Sequence, residues 1–335
     1  MALQRVSVIG AGAWGTALAI VLRRARRDVT IWARTPDIAR TIRSRHENPL
    51  YLPGLRLDRA IRPTADLFEA AQCDVAMLVA PAQHLRAVAG QLEPHLPRTT
   101  PVVLCAKGIE RDSGLLMTEV VAAALPGRPM AVLSGPTFAA EVARGLPTAV
   151  TLACADGKIG GDLMRAIGTA TFRPYLSDDP IGAEIGGAIK NVLAIACGIC
   201  MGRRLGENAR AALMTRGLAE MIRLGLARGA QPATLMGLSG LGDLSLTCNG
   251  LQSRNMSLGI ALGERRRLED VLGERRSVAE GVASSAAVVA LARRLGVEMP
   301  ICAAVDAIVN EGADIDATVA ALLDRPFTVE LTRLP

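Results

Sequence analysis

The chain has 335 residues, of which half are hydrophobic and 21% charged, with a formal net charge of +6. That length suits about two domains with a sizeable core, and the composition excludes a disordered chain. The positive charge is compatible with acidic partners, a phosphorylated substrate among them, while the 2% aromatic content and scattered basic residues argue against nucleic acid.

Short apolar runs at 6–9, 29–32, 75–80, 102–106, 131–134, 149–153 and 172–175 read as strands. Helical patterns fall between them at 17–24, 83–92, 115–124 and 159–168, and 45–59 reads as an excursion loop. Continuous apolar strands alternating with helices predict a parallel sheet covered on both faces. From about residue 181 the strand signal disappears. Long Ala/Leu/Gly-rich patterns follow at 182–202, 208–228, 253–263, 277–295 and 303–309. The expected architecture is α/β: a Rossmann-like parallel-sheet domain over 1–182, then an all-α domain over 183–335.

The first strand runs into Gly10-Ala11-Gly12-Ala13-Trp14-Gly15, with a helix expected from near Thr16. In this context G-x-G-x-x-G is a dinucleotide loop. Gly10 makes the turn, Gly12 admits the pyrophosphate and Gly15 lets the helix pack on the strand. The helix N-terminus offers N–H groups and partial positive charge. The second strand ends in Ala33-Arg34-Thr35, without the acid that binds the ribose hydroxyls of NAD. Arg34 is suited to a 2′-phosphate, so NADPH is expected to be preferred with NADH as the alternative; a plain surface arginine is the other reading.

Further groups fall at the carboxyl ends of strands, where ligands sit in such folds. Lys107 follows the 102–106 strand, and Ser134-Gly135-Pro136-Thr137 ends the next, with a helix expected at Thr137. In the helical half, Gly186-Gly187-Ala188-Ile189-Lys190 puts a lysine on a glycine-rich apolar helix. A buried lysine there has a lowered pKa and suits acid–base chemistry; a lysine snorkelling to solvent is the alternative. Gly240-Leu241-Gly242-Asp243 reads as a tight loop with one carboxylate. Ser253 reads as an N-cap, and Ser253-Arg254-Asn255 as a helix start able to take a dianion. Glu280 is an isolated acid in Ser277-Val278-Ala279-Glu280.

Of the 38 basic residues only Lys107, Lys158 and Lys190 are lysines, which reads either as selection at these sites or as a genome bias. The seven cysteines show neither a disulfide framework nor zinc spacing, and Cys197-Gly198-Ile199-Cys200 reads as small residues on a buried helix face. His46, His84 and His95 have no second ligand at useful spacing, so no metal is expected. The chain reads as reduced and cytoplasmic. No signal-peptide pattern opens it, and no run of about 18 uncharged apolar residues predicts a membrane span.

The blocks GAGAWGTALA, NPLYLPG, CAKGIE, LSGPTFAAEVARGLPTAV, GGAIKNVLAIACGI, LSGLGDLSLTC, LQSRN and VAEGV run in order along the chain. Together they resemble the bacterial-type NAD(P)-dependent glycerol-3-phosphate dehydrogenases. The resemblance implies a 6-phosphogluconate-dehydrogenase-like architecture and hydride transfer between NAD(P)H and dihydroxyacetone phosphate, giving sn-glycerol 3-phosphate for phospholipid synthesis. It implies Lys190 as the proton-transferring group. It places Lys107, Gly135, Thr137, Lys190, Asp243, Ser253, Arg254 and Asn255 at the substrate, with Asp243 at its hydroxyls. It places Gly10, Gly12, Trp14, Gly15, Arg34, Lys107, Ala139, Arg254, Val278 and Glu280 at the cofactor, with Tyr51 covering it. Low-polarity helices leave room for a homodimer. A β-hydroxyacid or sugar-acid dehydrogenase and a non-catalytic dinucleotide sensor are the competing readings.

Overall fold

The computed structural model describes residues 3–274 and 280–327. Its strands are β1 (Arg5–Ile9), β2 (Asp28–Trp32), β3 (Glu47–Asn48), β4 (Leu52–Arg56), β5 (Arg62–Thr64), β6 (Val75–Leu78), β7 (Val102–Leu104), β8 (Met130–Ser134), β9 (Thr148–Ala153) and β10 (Phe172–Ser177). The helices that alternate with them are α1 (Ala13–Arg24), α2 (Pro36–Arg45), α3 (Leu67–Ala70), α4 (Leu85–Leu92), α5 (Met117–Ala124), α6 (Ala139–Arg144) and α7 (Gly157–Ile167). The rest of the described chain is helical: α8 (Pro180–Gly202), α9 (Glu207–Ala227), α10 (Pro232–Leu235), α11 (Asp243–Asn249), α12 (Arg254–Gly263), α13 (Leu268–Gly273), α14 (Glu280–Leu295), α15 (Pro300–Asn310) and α16 (Ile315–Leu323).

The large sheet has the order β10-β9-β8-β7-β6-β1-β2-β5. The order reverses at β1, between β2 and β6, which opens a crevice beyond their carboxyl ends. Pairing is parallel except between β8 and β9. A compact connection through α6 returns the chain antiparallel there. An apolar run reads the same in either direction, so the sequence alone cannot reveal this reversal. The 45–59 excursion holds the small β3–β4 hairpin, and β5 adds an unforeseen edge strand; both are too short for a period-2 pattern.

Helix α8 is the centre of the second half. Every residue from Gly182 to Cys200 is buried. It is long and apolar enough to cross a membrane by composition, with mean hydropathy 1.6, yet 89% of that window is packed inside the protein. Its composition is therefore that of a core helix surrounded on all sides. Helix α12 packs on it almost backbone to backbone. A Cβ on Gly198 would lie 2.8 Å from Gly259 Cα, and one on Gly202 would lie 2.9 Å from Gly263 Cα. This seam fixes where the first turn of α12 stands relative to α8.

Candidate active site

The glycine loop forms a cradle. Gly10 has φ +131°, and a Cβ there would lie 2.9 Å from Val79 O. A Cβ on Gly15 would collide with the Gly10 carbonyl oxygen, whereas one on Gly12 would meet only open space. Helix α1 begins at Ala13, earlier than the pattern suggests, with Gly12 as N-cap and Thr16 N making the first helical bond to Gly12 O at 2.9 Å. The N–H groups of Ala13, Trp14 and Gly15 thus precede the helical ladder and face the space above Gly12. Such a cradle fits a pyrophosphate. The Trp14 ring packs against Phe172, centroids 6.4 Å apart, so its backbone N–H is what reaches the cradle. Asn48 of the hairpin pins the loop by donating to Ala11 O and Thr16 Oγ1, each at 2.8 Å. Arg34 is exposed beyond β2, next to Thr35, the N-cap of α2. Tyr51 is exposed on the same hairpin.

Across the crevice, three charges meet. Lys190 is buried on α8 and donates to Asp243 Oδ1 at 2.7 Å and to Thr247 Oγ1 at 3.0 Å. Lys107 donates to Asp243 Oδ2 at 2.6 Å and to Gly135 O at 3.0 Å. Asp243 has no solvent exposure. Both of its oxygens are taken by lysines rather than left for a substrate hydroxyl. Instead of a tight loop, residues 238–242 form a π-helical turn that runs directly into α11, with Asp243 as its first residue. Helical spacing then puts Thr247 on the same face as Asp243, where it donates to Asp243 O at 2.6 Å and accepts from Lys190.

Local sequence explains the close approach. A Cβ on Gly186 would collide with Ser239 O, and one on Gly187 would lie 3.1 Å from Ser134 Oγ and 3.3 Å from Lys107 Cγ. The glycine pair therefore lets α8 press against both the Asp243 turn and the Lys107 side chain. Burial pushes the Lys190 pKa down to about 8; Asp243 opposes that shift and Lys107 adds to it. Burial also raises the Glu280 carboxyl, against the pull of Arg254, Lys190 and Lys107. Glu280 and these three cations thus form one electrostatic cluster.

Ser253 caps α12, its Oγ accepting from Met256 N at 3.2 Å. Arg254 stands exposed at the first turn. The Asn255 carboxamide is internal: it donates to Asn191 Oδ1 at 2.9 Å and accepts from Gly281 N at 3.0 Å. It ties α8, α12 and α14 together. Gly135 O also accepts from Thr137 Oγ1 at 3.2 Å. Helix α6 starts at Ala139, two residues later than expected, because Phe138 and not Thr137 occupies the extended N-cap. Val278 lies outside the described residues. Among the described residues no group of three or more His, Cys, Asp or Glu is placed to hold a metal.

The N-terminal half, residues 5–159, matches the model of the NAD-dependent glycerol-3-phosphate dehydrogenase N-terminus, and residues 179–320 match that of the C-terminus. The chain belongs to the glycerol-3-phosphate dehydrogenase family. A protein of Parvibaculum lavamentivorans named glycerol-3-phosphate dehydrogenase (NAD(P)+) is 60% identical over 98% of this chain and 99% of its own. A protein of the same name from Rhodospirillum rubrum is 59% identical over 98% of this chain and 94% of its own. The crystal structure of glycerol-3-phosphate dehydrogenase from Coxiella burnetii superposes with a TM-score of 0.93 at 39% identity, covering 96% of this chain and 99% of that one.

In this glycerol-3-phosphate dehydrogenase family member, Thr247, Asn191 and Asn48 escape a reading of the sequence. Thr247 carried a usable signal, since it lies four residues after Asp243. Asn191 and Asn48 carried none, because their partners are distant in sequence.

Proposed function

We propose that the protein is an NAD(P)-dependent sn-glycerol-3-phosphate dehydrogenase that reduces dihydroxyacetone phosphate, with Lys190 as the proton donor. The observation that carries this reading is the buried Lys190–Asp243–Lys107 bridge at the crevice facing the glycine cradle. When bound, the dinucleotide supplies a hydride for C2 of the ketone. Lys190 polarises the carbonyl oxygen and gives it a proton as the alkoxide forms; in the reverse direction its neutral amine takes the proton. Lys107 adds positive charge beside the same oxygen and keeps the Lys190 pKa low. Asp243 holds both ammonium groups, and Thr247 fixes the direction of the Lys190 amine. Arg254 and the first turn of α12 suit the substrate phosphate. Gly135 and Thr137 shape this pocket through the bond between them, Ser253 as the cap of α12 and Asn255 through its bonds to Asn191 and Gly281.

Arg34 supports a preference for NADPH, since a cation in place of an acid at that position welcomes a 2′-phosphate. Gly10, Gly12, Trp14 and Gly15 hold the pyrophosphate, and Ala139 and Glu280 border the dinucleotide. The exposed apolar residues Met201, Leu205, Leu241 and Leu251 leave a surface for a homodimer. A cytoplasmic site of action and supply of glycerol phosphate for phospholipids follow from the same reading.

The test is NADPH oxidation with dihydroxyacetone phosphate by the parent and by Lys190→Met. The variant keeps the apolar stem and removes the amine, so kcat falls by about 10²–10⁴-fold. Turnover within a few-fold of the parent overturns the assignment of Lys190. Turnover of a β-hydroxyacid in preference to the phosphorylated ketone overturns the substrate.

A further inference from the structure

Lys107 lies on the sheet side of the crevice, at the end of β7, yet its partner Asp243 belongs to the helical half. The segment that follows Lys107 is not packed like an ordinary loop of the sheet domain. Ile109 and Leu116 are both fully buried, and they sit in the apolar core otherwise built from residues of the helical half. The two residues form an antiparallel bridge that closes the loop on itself. Within it, Gly114 N donates to Glu110 O at 2.8 Å and Glu110 N to Leu115 O at 3.0 Å.

The tip of this strap is held from α14. Arg294 donates through Nη1 to Ser113 O and through Nη2 to Gly114 O, both at 3.2 Å. Gly114 has φ +66°, and a Cβ there would collide with the Arg294 guanidinium. Glycine suits the left-handed backbone, and an added Cβ would make the guanidinium move off the tip. The far end is held from α8, where Glu184 accepts from Thr118 N and Thr118 Oγ1, both at 2.7 Å. The root is held from the sheet side. Gln83 donates to Ile109 O at 2.8 Å, and Arg86 makes two bonds to Glu110 at 2.9 and 2.7 Å.

We propose that residues 108–116 form a strap that anchors Lys107 to the helical half, with Arg294 and Gly114 as its lock and therefore as positioning residues for the Lys107–Asp243–Lys190 bridge. A lysine carried by the sheet alone would drift from Asp243 whenever the two halves moved relative to each other. With Ile109 and Leu116 seated in the helical core, Lys107 keeps its register with Lys190. Arg294 does not touch the site; it acts through the backbone of Ser113 and Gly114.

The proposal rests on the reading of Lys107 and Lys190 as the reacting pair, which Lys190→Met tests separately. Its own test uses Arg294→Ala and Gly114→Ala in the full-length protein. The groups facing Lys190 are Asp243 and Cys248 from α11, Lys107 from the strap side and Glu280 from α14. Of these, Lys107 is the one the lock controls. Both variants are expected to lower kcat for ketone reduction about 5- to 20-fold while leaving the Kd for NADPH within about 2-fold. Both are expected to move the alkaline limb of the pH–rate profile upward, because a displaced Lys107 no longer depresses the Lys190 pKa. Millimolar guanidinium is expected to restore part of kcat to Arg294→Ala and none to Lys190→Met. A lowered melting temperature with unchanged kcat and an unchanged alkaline limb overturns the proposal and leaves Arg294 a stabilising contact. Loss of kcat together with an equal loss of NADPH affinity also overturns it.

Discussion

Lys190 and Asp243 meet at 2.7 Å around a carboxylate that is wholly removed from solvent. With Lys190 as the proposed proton donor, the pair sets the protonation state on which ketone reduction would depend. Lys190 has a pKa near 8, and only its ammonium form donates a proton. The reductive rate is therefore expected to be flat below that pH and to fall up to tenfold per unit above it. The oxidative rate, which needs the neutral amine, rises through the same pH. Asp243 works against the downward shift, so Asp243→Asn moves the reductive limb below the parent's and lowers kcat by about 10²-fold or more as both lysines lose their shared anion. Steady-state kinetics from pH 6 to 10 in both directions checks this; a limb that stays in place in Asp243→Asn contradicts it.

Arg34 stands exposed at the tip of β2 in the place of an acid. Removing a charged hydrogen-bond donor to a phosphate costs about 1.5–3 kcal/mol, or about 10- to 100-fold in affinity. Arg34→Ala is expected to lose that much kcat/KM with NADPH and less than about 3-fold with NADH. Equal losses with the two dinucleotides count against a role at the 2′-phosphate.

Glu184 is buried between α8 and α5, and burial raises its pKa to about 7 against the two bonds from Thr118, which favour the anion. The folded state therefore holds this proton more tightly than the unfolded chain, where the pKa is near 4.5. Stability from this group is complete below pH 4.5 and declines as pH rises, until it levels off above about 7. Glu184→Gln mimics the neutral acid and can both accept from Thr118 N and donate to Thr118 Oγ1. It is expected to melt higher than the parent at pH 8, by up to about 2 kcal/mol of stability, with the difference shrinking as pH falls and vanishing only below about pH 4.5. A variant less stable than the parent at pH 8 shows instead that the bonds from Thr118 need the charge.

Gly259 sits where α12 touches α8. An added Cβ collides with Ile195 O and lies 2.9 Å from Gly198 Cα, both parts of a helix backbone that cannot yield. Gly259→Ala is expected to cost about 1–3 kcal/mol as the helices separate. Because α12 carries Ser253 and Arg254 at its start, the KM for dihydroxyacetone phosphate rises more than the KM for NADPH. Thermal melts and the two KM values check this together; a lower melting point with neither KM changed confines the seam to stability.

Much of the nucleotide half was legible in the residues because its signals are local. Gly10, Gly12 and Gly15 each answer a backbone demand within one turn of chain, and a strand before them with a helix after them is enough to interpret the loop. Lys190 on its glycine-rich apolar helix announced a buried amine for the same reason. The helix boundaries shifted where caps decided them, as at Ala13 and Ala139. The short strands β3, β4 and β5 left no period to detect.

The sequence by itself determined the dinucleotide loop, the alternation of strands and helices, the helical second half and the two lysines of interest. These follow from patterns repeated over a few residues, which local sterics and burial translate directly into structure. Only the tertiary structure decided that Asp243 divides its oxygens between lysines 53 and 136 residues away, that the Asn255 amide faces inward to Asn191, and that the strap after Lys107 belongs to the helical core. Those relationships depend on which helix faces meet when the whole core packs, and no local pattern encodes a partner so far along the chain.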